Sequence, residues 1–415
     1  MTESRRWRFA ALGILYIAQG LPFGLFAVAL PSWFASQDFD PAEIGIFVFI
    51  ANLPWSLKLL AGPFMDRFSY PAMGRRRPWV MGAQLSIAAA FLLLAIAPDP
   101  KSFFYITAGL GFLINLCAST QDVAVDGMAI DVLPVEDRAR ANAFMFGGQL
   151  LGISAGSSGG GYALNLMGLD GVALLGTGAT LAIFLVPMLI RERDGEKLLP
   201  WSPGQASQHA LDLRVDRVLP LLKLGLTALV APVSLLLILV ETLTRISDGL
   251  LFTMLPVYTV QELGWDDVDY NDWYAFGSIV AAVVGLLVSP AIDRYGTKAA
   301  LAILVLVKAS AMLLVGLSVL VRNDDAVVGL VILTWICSHL SLIVIIVTMM
   351  RICKAQVAAT QFAVYMALSN LAYAGGSLVY AGLQVTFDAT GLLVWASLLL
   401  LLALPVWWHV ARRYL

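Results

Sequence analysis

Long apolar runs broken by short polar turns dominate this chain. Reading the runs against the roughly 17–25 residues a helix needs to cross a bilayer gives twelve spans. They fall at about 8–30, 42–64, 79–97, 103–131, 140–163, 171–190, 229–258, 273–291, 299–320, 326–351, 360–385 and 390–411. Most turns between them are short. The exception is the polar stretch from Arg191 to Thr227, which carries Pro200, Pro203 and the basic residues Arg214, Arg217 and Lys223. It predicts a midpoint, with an N-terminal six-helix bundle over 1–195, a linker over 196–228 and a C-terminal six-helix bundle over 229–415. The expected fold is thus an all-α membrane protein. Asp40-Pro41-Ala42-Glu43 supplies an N-cap, a proline at the first helical position and a capping-box glutamate for the second span.

Charge orients the spans. Arg5, Arg6, Arg8, Arg67, Arg75–Arg77, Arg138, Arg140, Arg191, Arg193, Lys197, Arg214, Arg217, Lys223, Arg294, Lys298, Arg351, Lys354, Arg412 and Arg413 fall on one side, and only Lys101 and Arg322 on the other. The positive-inside rule then predicts both termini in the cytoplasm. Composition agrees with a membrane chain: 60% of its 415 residues are hydrophobic and 13% charged, against about 25% charged in a soluble domain. The basic residues are not pooled, so no nucleic-acid partner is expected. Cys117, Cys337 and Cys353 have no metal or disulfide-framework spacing, and His209, His339 and His409 are far apart. No metal, cofactor or cleaved leader is expected, and the partners are a bilayer, a small solute and protons, with a monomer as the assembly.

The exceptions to apolarity carry the chemistry. Ser119–Leu133 ends a long span yet holds Asp122, Asp126 and Asp131. Asp122 and Asp126 share a helix face about 6 Å apart, and a carboxylate in hydrocarbon costs about 2.5–3.5 kcal/mol on the lenient insertion scale. They need a wet cavity or a partner, unless this end of the span already lies in the interface. Burial and mutual repulsion favour a proton on one of them, which is what proton coupling requires, with Asp122 the first coupling candidate and Asp126 the next. Lys58 lies two turns inside the second span, placed either to snorkel or to face inward and pair with Asp122 or Asp126, where it is also a solute-binding candidate opposite Glu241, Arg245 and Asp248. Glu241, Arg245 and Asp248, spaced i, i+4 and i+7, share a face of the seventh span. They read as a structural ion-pair ladder or as a site in which the acids titrate and Arg245 offers a bidentate donor to a carboxylate or phosphate. Lys308 in the ninth span has no pattern to name its partner, and His339 reads as a packing residue or a proton relay. Asn52, Gln84, Asn115, Gln149, Trp335, Gln361, Tyr365, Asn370 and Tyr373 either line a solute path, with Asn115, Gln149 and Tyr365 the chosen binding candidates, or bond across helices. Gly152-Ile153-Ser154-Ala155-Gly156 matches a nucleophile-elbow pattern, but no strand precedes it. Gly148, Gly152, Gly156 and Gly160 read instead as a face for close helix packing. No enzyme is expected.

The two halves also repeat a loop. Gly62–Phe68, GPFMDRF, ends the second span and Ser289–Tyr295, SPAIDRY, ends the eighth. Each has an Asp-Arg pair (Asp66-Arg67, Asp293-Arg294) followed by glycine and basic residues, as parallel repeats about an axis along the membrane normal would show. These loops resemble the cytoplasmic loop of major facilitator superfamily transporters. Gln19-Gly20-Leu21-Pro22, Pro54-Trp55-Ser56-Leu57-Lys58-Leu59 and Thr120-Gln121-Asp122-Val123-Ala124-Val125-Asp126-Gly127 resemble, within it, the peptide/acetyl-CoA transporter family of muropeptide, acetyl-CoA and siderophore permeases. The resemblance implies a secondary transporter of the bacterial inner membrane, a proton symporter working by alternating access on a polar or anionic solute. It makes Asp66, Arg67, Arg75, Arg76, Asp131, Asp293 and Arg294 gate candidates. The solute reads as muropeptide-like, with a siderophore or a CoA conjugate as alternatives. A receptor or scaffold that moves no solute is the rival of another class.

Overall fold

The computed structural model describes residues 4–134, 137–212, 230–353 and 358–414. Among them every long element is a helix and no strand occurs. Nine stretches are long and apolar enough to cross a membrane: Arg5–Ser36, Pro41–Arg67, Arg77–Ala95, Phe104–Val132, Arg140–Leu189, Thr297–Gly316, Asp324–Ile352, Gln361–Leu383 and Ala389–Arg413. Pro232–Val257 and Asp267–Tyr295 are further long helices. The first of these carries Glu241, Arg245 and Asp248 in its middle.

Local chemistry sets several ends. The Asp40 carboxylate accepts from the Ala42 N–H at 2.7 Å with Pro41 at the first helical position. Asn323 and Asp388 cap Asp324–Ile352 and Ala389–Arg413 in the same way, accepting from Ala326 and Gly391. The expected spans at 140–163 and 171–190 meet in one helical run, which breaks only at Gly168 (φ +70°, ψ −175°). That left-handed backbone is open to glycine and costly for a side chain.

The chain forms two compact units, one of residues 1–27 and 57–219, the other of residues 28–56 and 220–415. The division falls inside Arg5–Ser36 and inside Pro41–Arg67, so each of those helices contributes to both units.

In the first unit, Arg5–Gly24 packs on Arg138–Ser154 with almost nothing between the backbones. A Cβ on Gly148 would sit 2.1 Å from the Gly13 carbonyl oxygen, one on Gly152 2.4 Å from that of Ile17, and one on Gly156 2.3 Å from that of Leu21. The glycine ladder is therefore a packing face. The second unit repeats the device: a Cβ on Gly249 would lie 1.9 Å from the Tyr373 carbonyl oxygen and one on Gly376 2.4 Å from that of Ile246. Gly152→Leu is expected to lower the thermal midpoint of the purified protein by several degrees or prevent folding, since overpacking costs about 1–3 kcal/mol even where the core can yield. Gly82→Ala, with no atom within 4 Å of its new Cβ, is the control and should be neutral or slightly stabilising.

Candidate functional site

Among the described residues three clusters of buried charge contain the candidates, two in the first unit and one in the second, and Asp137 with Arg8 and Arg5 is a further buried ion pair of the first unit. The first is built on Phe104–Val132. Asp122 is 5% exposed, and its carboxylate takes the Lys58 ammonium in an ion pair. Lys58 comes from the first residue of the helix Lys58–Arg67, after a 3-10 turn over Leu53–Leu57 that interrupts the longer span. Of the alternatives open in the sequence, Lys58 thus pairs, and with Asp122. One turn further on, Asp126 is exposed and accepts a hydrogen bond from the Tyr16 hydroxyl. Among the described residues Asp126 has no cation within ion-pair distance. The cluster holds one cation and two carboxylates, so it carries a net negative charge whenever both acids are ionised. Gln121, beside them, is fully buried and donates to the Leu15 carbonyl at 2.9 Å.

The second cluster lies at the arginine-rich end of the same unit. Asp66 accepts from Arg75 at 2.7 Å and from Arg76 at 2.5 Å, and Arg75 also reaches Asp131 at 3.4 Å. Asp66, Arg75, Arg76 and Asp131 are therefore one network. Gly127, the last residue of the TQDVAVDG stretch, makes room for it: a Cβ there would lie 2.6 Å from Nε of Arg76. Arg67 stands apart, exposed, with its guanidinium 5.8 Å from the Phe68 ring centroid. The side chains of Asp293 and Arg294 lie outside the described residues.

Glu192 completes this end. It is 3% exposed, and its carboxylate accepts from the backbone N–H groups of Arg75 at 2.9 Å, of Arg76 at 2.8 Å and of Arg77. It caps the positive start of Arg77–Ala95 and sits where a Cβ on Gly74 (φ +100°) would fall. Burial pushes the Glu192 carboxyl above the usual range, against the pull of the three N–H donors. Arg77 answers from the other side, donating to the carbonyls of Pro187 at 2.5 Å and Lys197 at 2.9 Å and to that of Leu198. Glu192→Ala leaves three N–H groups without their acceptor. It should cost about 1–3 kcal/mol, read as a lower thermal midpoint, while Glu192→Gln recovers part of the loss.

The third cluster belongs to the second unit. Glu241, Arg245 and Asp248 share one face of Pro232–Val257, as their spacing predicts. Arg245 lies 3.1 Å from Asp248 and 4.0 Å from Glu241, with its guanidinium 4.5 Å from the Tyr373 ring centroid. Lys308 joins them through Asp248, and Ser338 donates to the same carboxylate oxygen at 2.8 Å. Ser369 donates to Glu241 at 2.5 Å.

Several polar candidates are held locally. Asn115 donates to the Gly111 carbonyl of its own helix at 3.0 Å, and Asn52 to that of Val48 at 2.9 Å. Tyr365 is fully buried, bonded to Ser234 at 2.7 Å and Gln361 at 2.9 Å. Gln149 is half-buried, its carbonyl oxygen 2.3 Å from where a Cβ on Gly20 would stand. Asn370 donates to the Trp55 carbonyl at 3.0 Å within the second unit, and Trp335 to Ser278 at 2.7 Å. The His339 ring meets Trp335 edge-on at 4.6 Å, with Nδ1 3.1 Å from its carbonyl oxygen. Tyr16 and Glu192 were not singled out from sequence. A tyrosine in an apolar span carries no periodicity signal, and Glu192 reads as one more charge just past a span.

Comparison with known proteins gives the chain relatives of known kind. The model for the Major Facilitator Superfamily matches residues 12–377. The chain is 27% identical over 376 residues to the anhydromuropeptide permease of Escherichia coli K12, covering 87% of this chain and 71% of that one. It is 30% identical over 169 residues to the putative transporter AmpG 4 of Rickettsia conorii, covering 39% of each. Its fold is similar to that of a POT family transporter in complex with thioalcohol conjugated peptide, with TM-score 0.73, 11% identity and coverage of 97% and 95%. It is also similar to a bacterial homolog of the human lysosomal transporter Spinster in an inward-facing and unoccupied conformation, with TM-score 0.70, 14% identity and coverage of 99% and 98%. At those identities the likeness concerns the fold alone.

Proposed function

The chain belongs to the Major Facilitator Superfamily, and from that premise we propose that it is a proton-coupled secondary transporter of a polar or anionic solute of the anhydromuropeptide class. It is a multi-pass membrane protein with the fold and relatives of transporters, which are not enzymes. In this reading the chain crosses a bacterial inner membrane twelve times with both termini in the cytoplasm, and works as a monomer by alternating access. Support for the count comes from splitting the run around Gly168 and adding Pro232–Val257 and Asp267–Tyr295, whose internal charges are unfavourable in lipid but useful in a carrier. Support for the solute class comes from the 27% identity to the anhydromuropeptide permease.

The observation that carries proton coupling is the asymmetry of Asp122 and Asp126. Asp122 is buried and neutralised by Lys58. Asp126 is exposed and bonded to a neutral hydroxyl. A coupling carboxyl has to gain and lose a proton during the cycle, so it needs access to water and freedom from a permanent cation. Asp126 has no cation in ion-pair contact among the described residues, and in this reading its exposed edge faces the aqueous path, whereas Asp122 is buried and paired. Asp126 is therefore the coupling carboxyl of the first unit, with Lys58–Asp122 as the fixed pair that positions it. Asp66, Arg75, Arg76 and Asp131 form the gate network, and Glu241, Arg245 and Asp248 the polar site of the second unit.

The reading is tested by counterflow. Proteoliposomes of the purified chain, preloaded with unlabelled anhydromuropeptide, should draw in labelled anhydromuropeptide, while a ferric siderophore and acetyl-CoA give the protein-free rate. Entry of one of those two instead would reassign the solute. Protein-free rates for all three would leave no support for transport of these classes.

A further inference from the structure

The polar stretch that follows Leu189 soon reaches an apolar run, Leu198-Leu199-Pro200-Trp201. Arg77 shows where that run lies. Its side chain is fully buried at the start of Arg77–Ala95, and its guanidinium joins two segments of the later chain. Nε donates to the Pro187 carbonyl at 2.5 Å, and Nη1 to that of Lys197 at 2.9 Å. A single nitrogen, Nη2, donates both to Met188, at 3.3 Å, and to Leu198. Pro187 and Met188 belong to the last turn of the apolar run that ends at Leu189. Leu198 is therefore held level with that last turn. The chain leaves the span, doubles back and presents Leu198–Trp201 at the depth where the span ends.

The turn that carries the run is fixed. The Ser202 hydroxyl accepts from the N–H groups of Leu198 at 2.9 Å and Leu199 at 3.0 Å. The Gln205 N–H closes the loop on the Gly195 carbonyl at 3.0 Å, and the Lys197 N–H reaches the Ala72 carbonyl at 2.7 Å. Gly204 (φ +149°) lets the two sides of the loop meet, since a Cβ there would lie 2.6 Å from the Lys197 nitrogen. Yet the tip of this ordered turn is bare. Trp201 is 81% exposed, the most exposed aromatic side chain among the described residues. Tryptophan has an apolar body and one N–H donor, which suits the boundary between hydrocarbon and water. Phe68 and Tyr70, both exposed, stand in the loop just before Arg77, at the same end of the spans, as members of an aromatic belt do.

We propose that Leu198–Trp201 is an interfacial anchor whose partner is the lipid surface, with the Trp201 indole seated among the headgroups and upper acyl chains at the arginine-rich end of the first unit. A soluble protein partner would not need the loop to return to the depth of the last helical turn. Residues of the same segment hold the gate network: Arg193 donates to the Asp131 carbonyl at 2.6 Å, and Glu192 takes the N–H groups of Arg75 and Arg76. The anchor thus ties that network to the membrane surface. It is independent of the solute that the protein moves.

Depth-dependent quenching tests the anchor in the full-length protein. Trp201→Cys, made together with Cys117→Ala, Cys337→Ala and Cys353→Ala, places one fluorescent label at the tip of the loop. The tip substitution removes no packing, because the side chain it replaces is bare. The labelled protein is put into nanodiscs of phosphatidylcholine and phosphatidylglycerol, which leave both faces open to solvent. Lipids with a nitroxide on the upper acyl chain should quench most of the emission. Lipids with the nitroxide near the chain end should quench weakly, and aqueous iodide should quench little. Strong iodide quenching with no response to either lipid would place the tip in water and overturn the proposal. Protection from iodide without lipid quenching would mean that a protein surface covers the tip, and would overturn it equally. If the cysteine-free protein does not fold, the wild type and Trp201→Phe decide the matter. Lipids brominated on the upper acyl chain should quench a larger fraction of the tryptophan emission in the wild type than in Trp201→Phe, and equal or smaller fractional quenching overturns the anchor.

Discussion

Asp126→Asn is expected to lose about tenfold in the solute accumulation that a one-unit pH gradient supports, while exchange of solute at equilibrium continues at close to the wild-type rate. One coupled proton moving down one pH unit supplies about 1.4 kcal/mol, which is a tenfold concentration ratio. Removing one titrating carboxyl removes one such factor. Asparagine keeps the size of the side chain and can still accept from Tyr16, so the helix face is preserved while the proton site is not. The split between accumulation and exchange is the informative part. A merely structural aspartate would lower both together, and a solute ligand would weaken exchange first. Tyr16→Phe serves as the companion: it removes the donor to Asp126 and leaves the carboxyl in place, so accumulation should persist with a changed pH profile.

Lys58→Gln is expected to be among the most damaging single changes in the first unit. It leaves Asp122, 5% exposed, and Asp126 one turn away with no cation between them. Breaking a buried pair by removing one partner costs about 3–5 kcal/mol, because the remaining charge stays buried and unpaired. The Lys58 side chain retains 27% exposure, which places the cost toward the lower end of that range. Asp122→Asn should be milder, since the Lys58 ammonium can turn to Asp126 on the same helix face. The double variant Lys58→Gln/Asp122→Asn removes both buried charges and should recover most of the lost stability, as replacing an ion pair by neutral groups often does. Thermal midpoints of the four proteins give the order: wild type, double variant, Asp122→Asn, Lys58→Gln. A double variant less stable than both singles would mean that the pair is not the principal interaction of either residue.

Local regularities were the legible part of this molecule. The i, i+4 spacing of Asp122 and Asp126 and the i, i+4, i+7 spacing of Glu241, Arg245 and Asp248 fix shared faces before any tertiary contact forms, and the structure keeps both. The four-residue glycine ladder announced a close helix approach, and Gly148, Gly152 and Gly156 make it. What the sequence left open were contacts between distant segments. Lys58 had two candidate carboxylates one turn apart, and only packing selects Asp122. Lys308 had none in its neighbourhood, because Asp248 lies 60 residues away. Glu192 caps a helix that starts 115 residues before it. The polar residues inside spans were ambiguous for another reason. Asn52 and Asn115 spend their donors on carbonyls of their own helices, an option open to polar side chains on helices generally. Arg67 shows the limit of motif reading: it stands in the loop pattern beside Asp66, yet the guanidinium groups of Arg75 and Arg76 take the carboxylate.

Proton-driven accumulation is the measurement closest to the central claim. Purified protein in proteoliposomes, alkaline inside and acid outside, is given labelled anhydromuropeptide at equal concentration on both sides. The account predicts net accumulation inside, collapsed by a protonophore and reduced about tenfold by Asp126→Asn at a one-unit gradient. Equal internal and external solute at every gradient, with exchange intact, would contradict proton coupling and leave a uniporter.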